Sequence, residues 1–201
     1  TAAKAQFNGA LIIGPQGSVT SPAYTYLPDT AARTETQKGG IRFGLLTHIA
    51  LSKKLQLQSG IIYSAKGSKQ TQIADPETTG LQTATSDLSL NYIDIPANLL
   101  LKLPLKGKTS FLLGAGPQAS LFYTGKYTHS LIDRDNKYSE VSNDDLPVGK
   151  KDGQFRTVHF SANALAGLEF GRVFITAHYA QSITPFLQKE AEAFEFTTIG
   201  A

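Results

Sequence analysis

The 201-residue chain has a net charge of only +3, with basic residues interleaved among acids, which excludes the dense basic patch of a nucleic-acid-binding protein. Cysteine is absent, which excludes disulfides, thiol catalysis and thiolate metal sites. The apolar runs are a few residues long, far below the ~20 that a membrane-spanning helix needs. A transmembrane β-barrel is still allowed, because its apolar residues alternate with polar ones.

Eight segments have the period-two alternation of β-strands, in which successive side chains point to opposite faces. In chain order the predicted strands are residues 6–19, 38–51, 55–70, 87–105, 109–127, 155–170, 173–184 and 194–201. The fourth has the clearest pattern, since its odd-numbered positions from Ile93 to Leu103 are all apolar. Its even-numbered positions include an acid, an amide and a base. One face of this strand is therefore predicted to meet an apolar medium and the other a polar interior.

The predicted connections alternate between long and short. Residues 20–37, 71–86, 128–153 and 185–193 form long loops, whereas the turns at 52–54, 106–108 and 171–172 are two or three residues long. This asymmetry is typical of an outer-membrane barrel with long external loops and short periplasmic turns, and not of a Greek-key sandwich. We predict one all-β domain over residues 1–201, an eight-stranded antiparallel up-and-down transmembrane β-barrel with both termini periplasmic.

The polar faces of the strands predict a structural network inside the barrel. Its members are Lys66, Tyr92, Asp94, Asn98, Lys102, Gln118, His159, Glu169 and His178. Side chains fill the interior of an eight-stranded barrel, and buried charges there must be paired. We therefore expect Lys66, Lys102 or Arg42 to neutralise the carboxylates of Asp94 and Glu169. A narrow path for solutes or protons is the functional alternative.

The sequence predicts no catalytic, cofactor or metal site. His159, Ser161 and Glu169 supply the residue types of a hydrolase triad, but Glu169 lies eight strand residues beyond Ser161, roughly 26 Å at ~3.3 Å per residue. A triad built across strands, as in a lipid A-modifying enzyme, remains an alternative. The four histidines lack metal-ligand spacing, although His159 and His178 could approach each other if their strands pair.

Aromatic residues and one loop are candidates for contacts outside the barrel. Seven aromatic residues near predicted strand ends could form an interfacial girdle or pack internally: Tyr63, Phe111, Phe122, Tyr123, Phe170, Phe174 and Tyr179. The loop 128–153, with Tyr138, is either a docking surface for a protein or glycan or a variable solvated surface.

Two motifs carry a family resemblance. Tyr63-Ser64-Ala65-Lys66-Gly67 is followed by Tyr92-Ile93-Asp94-Ile95-Pro96, and together they resemble the Bacteroidetes outer-membrane β-barrel family that includes the PorT-like proteins. The resemblance implies an eight-stranded barrel exported to the outer membrane, similar to parts of the type IX secretion and gliding apparatus. His178 departs from the family, which usually has Arg there. The end at Gly200-Ala201 lacks the expected terminal aromatic, so we expect an incomplete last strand.

The expected function is that of a non-catalytic structural or accessory subunit of an outer-membrane complex for secretion, assembly or uptake. Expected partners are outer-membrane lipid, lipopolysaccharide and other outer-membrane or periplasmic proteins. Ala3-Lys4-Ala5 resembles a signal-peptide cleavage site and predicts export, although a disordered N-terminus explains it equally well. The main alternative is a soluble lipocalin-like binder, which requires apolar residues inside and polar residues outside.

Overall fold

The computed structural model describes residues 7–21, 32–73, 81–133, 135–143, 146, 148–149, 151, 154–184 and 195–200. These residues contain nine β-strands in one antiparallel sheet: β1 (Phe7–Ser21), β2 (Ala32–Ala50), β3 (Leu55–Ile73), β4 (Leu81–Pro104), β5 (Thr109–Asp133), β6 (Tyr138–Asn143), β7 (Val158–Phe170), β8 (Val173–Ser182) and β9 (Glu195–Gly200). Among them, no helix has the length and hydropathy of a membrane span.

Eight strands close into a ring. The order runs β1-β2-β3-β4-β5-β7-β8-β9 and returns to β1, while β6 forms a hairpin with the far end of β5. The predicted all-β antiparallel barrel is therefore confirmed. β9 pairs with β1 only over Gln16–Ser21, so within the described residues the first half of β1 pairs with β2 alone.

The predicted alternation of faces is also confirmed. In β4, Asn98 is 2% exposed and its neighbour Leu99 is 50% exposed. The same contrast recurs around the ring, where the outer surface carries exposed large apolar side chains, among them Leu11, Ile13, Leu45, Ile61 and Ile175. Most residues buried inside are polar. This distribution contradicts the lipocalin-like alternative, which needs the opposite arrangement.

The outer apolar surface forms a belt. On β4 it runs from Ile93 to Leu103, eleven residues, which matches the ~9–11 that cross a bilayer at a tilt. Beyond Ile93 the outward positions are polar, beginning with Asn91 and Ser89. Of the predicted girdle, Tyr123, Phe170 and Tyr179 face outward and are exposed. Two other members of the predicted girdle, Phe122 and Phe174, pack against apolar clusters inside the barrel.

Three predicted loops are partly strand, and those predictions were wrong. β2 begins at Ala32, β3 and β4 pair as far as Ile73 and Thr83, and β5 continues to Asp133 before β6 pairs back onto it. We use the name projecting sheet for the part of the sheet that is formed by β6 and by residues 32–37, 68–73, 81–89 and 126–133. Both of its faces are largely polar, so it lacks the alternation by which the other strands were found, but its threonines favour extended backbone. The predicted loop 185–193 lies outside the described residues.

Candidate functional site

The centre of the lumen holds a buried ion pair. Lys66 of β3 places Nζ 3.0 Å from Asp94 Oδ1 of β4, and both side chains are almost fully buried. Ser120 of β5 donates to the same carboxylate oxygen over 2.5 Å. Gln118 donates to Ser120 and accepts from Asn163, over 3.4 and 3.5 Å. These contacts link β3, β4, β5 and β7. The buried carboxylate of Asp94 is thereby paired and hydrogen-bonded, as a buried charge must be.

An aromatic layer lies directly beside this ion pair. Lys66 Nζ is 5.1 Å from the centre of the Tyr92 ring, close enough for a cation–π contact. The Tyr92 ring makes edge contacts with His159 and Phe122, at centroid distances of 4.7 and 5.7 Å. His159 is therefore held by an aromatic contact next to the network.

A second polar group lies toward the short turns. Asn98 donates to Gln58 over 2.9 Å, and Gln58 Nε2 lies 2.9 Å from His48 Nε2. Lys102 pairs with Glu169 at 2.7 Å. Here the lumen opens into a cavity of about 690 Å³ beside the half of β1 that pairs with β2 alone.

Between these two groups the lumen is almost filled. The remaining void is about 20 Å³, room for roughly one water molecule. Its lining includes Arg42, Asn98 and His178. Asn98 Oδ1 and His178 Nδ1 are buried without a hydrogen-bond partner among the described residues. The void is far too small for a continuous solute path.

An apolar plug closes the other end of the lumen, and sequence analysis missed it. Phe155 is buried against Leu88, Leu90 and Tyr92, and Leu146 packs on the same cluster. The plug depends on a bulge in β5, where Phe122 pairs with Tyr92 but the next pair joins Thr124 to Asn91. The extra residue, Tyr123, reverses the parity of β5, so that Gly125 and Tyr127 face inward. No period-two reading across residues 109–127 could reveal this reversal.

The predicted network residues thus separate into distinct groups. Five are brought together at the centre: Lys66, Tyr92, Asp94, Gln118 and His159. Asn98 belongs to the Gln58 group, and Lys102 and Glu169 form their own pair. His178 lines the small void, away from the other histidines.

Neither the triad residues nor the two histidines converge. Glu169 is engaged by Lys102, while His159 lies ten strand residues away, roughly 33 Å at ~3.3 Å per residue. The pairing of β7 with β8 places His178 opposite Leu165, about 20 Å along the strand from His159. The described residues contain no group of three or more His, Cys, Asp or Glu positioned to hold a metal ion.

The projecting sheet is the second candidate site. Its edge strand β6 pairs only with β5 in the part of the chain that the structure describes, and it carries the exposed Tyr138. His129 of β5 stacks on Tyr127, and its Nδ1 lies 3.2 Å from Ser86 Oγ. Partial burial lowers the pKa of His129 below its ordinary value, so its neutral form is favoured here. An exposed strand edge can accept a further strand from a partner.

The closed ring, the outer apolar belt and the polar lumen are together typical of an outer-membrane β-barrel. Residues 4–188 match the family model described as "Outer membrane protein beta-barrel domain". The chain belongs to this outer-membrane β-barrel family. Membership indicates an outer-membrane location, in which the apolar belt of this family member faces lipid.

Two solved structures are similar to this outer-membrane barrel. Both are crystal structures of Ail, the attachment invasion locus protein of Yersinia pestis, and the second is a complex with the heparin analogue sucrose octasulfate. They are 14% and 12% identical to the chain, with TM-scores of 0.36 and 0.33. Each comparison covers 96% of this chain and 93% of the other. No curated protein matches the chain.

Proposed function

We propose that the chain is a non-catalytic outer-membrane barrel that serves as a structural or accessory subunit of a larger outer-membrane complex for secretion, assembly or uptake. The blocked lumen carries this proposal. Beyond the cavity at the short-turn end, the Lys66–Asp94 network, the void of about 20 Å³ and the plug around Phe155 leave no continuous path for a solute within the described part of the barrel. A barrel blocked in this way is suited to acting through its outer surfaces.

The projecting sheet supports docking as the mode of action. Strands that continue well past the apolar belt hold a hydrogen-bonded sheet away from the membrane, and β6 presents an edge for strand addition. The partners that we propose are outer-membrane lipid and lipopolysaccharide around the belt, and other outer-membrane or periplasmic proteins. The two motifs at Tyr63 and Tyr92 support a PorT-like relationship within Bacteroidetes. Export by a signal peptide is part of the same proposal.

Site-specific photo-crosslinking in intact cells tests the docking role. A photoreactive residue replaces the exposed Ser139 in β6, and a matched control replaces Lys69, which is exposed in the middle of the same sheet. We expect a discrete adduct of defined mass from Ser139 and little from Lys69. The absence of an adduct, or the same diffuse adducts from both positions, would contradict docking through β6.

The enzymatic alternative has its own test. The lipid A of cells with and without the chain is compared by mass spectrometry, and an unchanged acylation pattern is expected for a non-catalytic barrel. A chain-dependent change that is lost in His159→Ala would assign the lipid A-modifying role instead, since His159 is a buried imidazole in contact with Tyr92, beside the central ion pair.

A further inference from the structure

The short-turn end of the barrel is strongly cationic. Five exposed bases occupy the three turns, namely Lys53, Lys54, Lys106, Lys108 and Arg172. Within the described residues none of them forms an ion pair, and Glu169, the acid at this end, is already engaged by Lys102. The amide of Gly171 donates to the Lys108 carbonyl over 3.1 Å, which brings two of the turns together. The exposed positive charge is therefore concentrated and unneutralised.

An apolar groove lies in the outer wall just above these turns. It has a volume of about 470 Å³ and crosses β4, β5 and β7, with Leu55 of β3 at one end. Leucines such as Leu99 and Leu113 form its sides, while Ala115, Ala164 and Ala166 leave the depression between them. The lining is apolar, so the groove provides no hydrogen bonds for a polar ligand. Hydrocarbon is the chemistry that it accommodates.

The strand register joins the groove to the cations. Leu55 pairs with Leu101, and both line the end of the groove nearest the turns. Lys54 immediately precedes Leu55, and the Lys54 carbonyl oxygen accepts a hydrogen bond from the Lys102 amide over 2.7 Å. Because a lysine side chain can extend its charged end to the membrane surface, Lys54 is placed to meet a headgroup whose chain lies in the groove.

We propose that this groove and Lys54 bind one anionic phospholipid of the leaflet at the short-turn end. The acyl chain lies against Ala115 and Ala164, and the phosphate lies among the turn cations. An acidic protein would neutralise the cations but would leave the adjoining groove unexplained. Basic residues near a bilayer surface attract anionic lipid, which supplies the headgroup preference.

Native mass spectrometry of the full chain tests the proposal. The barrel is purified in mild detergent and supplied with equal amounts of phosphatidylglycerol and phosphatidylcholine. We expect one phosphatidylglycerol per barrel, retained in preference to phosphatidylcholine. Lys54→Ser should reduce that preference roughly fivefold, because it removes one cation from the headgroup site. Ala115→Leu should reduce retention of both lipids, because the larger side chain fills the groove.

Matched controls separate these effects from general damage. Ala119→Leu adds the same bulk to the outward face of β5 but outside the groove, and Lys69→Ser removes an exposed lysine at the opposite end. Neither should change lipid retention. Equal retention of the two lipids by the parent protein, or equal losses in Ala115→Leu and Ala119→Leu, would overturn the proposal. So would a Lys54→Ser variant that loses an acidic protein partner while its lipid preference is unchanged. The exposed Lys54 lies outside the wall, so its variant keeps the test valid if Ala115→Leu fails to fold.

Discussion

Asp94 is only 4% exposed in the middle of the lumen, where its carboxylate accepts hydrogen bonds from Lys66 and Ser120. Replacing Asp94 by Ala leaves the ammonium of Lys66 buried without its partner, which should cost about 3–5 kcal/mol of stability. Reversible urea unfolding in lipid vesicles measures the loss.

A double-mutant cycle makes this prediction specific. Lys66→Met combined with Asp94→Leu removes both charges, so its cost should be clearly less than the sum of the two single changes. Additive costs, or an Asp94→Ala variant as stable as the parent, would show that the pair is not coupled as its 3.0 Å distance implies.

Leu99 tests the outward face of the belt. It is 50% exposed near the middle of the belt, so Leu99→Arg should destabilise the barrel by about 2–4 kcal/mol in a bilayer. Thr85→Arg, at an outward position of β4 in the projecting sheet, is the control and should have little effect. Unfolding in vesicles again provides the measurement, and a neutral Leu99→Arg would mean that this face does not meet lipid.

At the scale of elements, Gly67 sets the spacing between β3 and its neighbours. A Cβ there would lie 2.1 Å from the Leu88 carbonyl oxygen and 2.8 Å from the Lys38 side chain. Lys38 passes over this glycine to pair with Asp87 and to donate to Ser89 over 2.5 Å. Gly67→Ala should therefore force β3 and β4 apart at the base of the projecting sheet.

Hydrogen exchange can locate this effect. In Gly67→Ala, amides near the Ser68–Leu88 pair should exchange at least ~10-fold faster, the factor that corresponds to 1.4 kcal/mol. Gly39→Ala is the matched control, because a Cβ at Gly39 meets no atom within 4 Å. Equal exchange rates in Gly67→Ala and Gly39→Ala would show that a Cβ at Gly67 does not clash with its neighbours.

The strand segments in the apolar belt could be predicted from the sequence, whereas their extensions could not. Between Ile93 and Leu103 one face meets an apolar medium and the other a polar interior, so apolar and polar residues alternate along the sequence. In the projecting sheet, Thr71 and Thr85 face each other at 3.5 Å among polar neighbours, and no contrast between faces distinguishes strand from loop. The β5 bulge at Tyr123 is hidden for a related reason, because aromatic residues suit both faces there.

At the scale of the whole molecule, the outer apolar belt should make the protein behave as an integral membrane protein. We expect it to stay in the membrane pellet after sodium carbonate extraction and to migrate faster on a detergent gel before heating than after. Both outcomes follow from a closed ring whose outer belt carries exposed large apolar side chains. Release into the supernatant would contradict the membrane assignment.

By itself the sequence determined which side chains of each belt strand point inward, because the period of two is a local property of extended backbone. It therefore selected Asp94, Lys66 and Glu169 as interior residues before any contact was known. Tertiary structure alone decided that Lys66 meets Asp94 while Lys102 meets Glu169, that Phe155 plugs the lumen, and that four strands line a groove next to Lys54. Those contacts depend on register, bulges and ring closure, which bring together residues far apart in the chain and leave no local pattern.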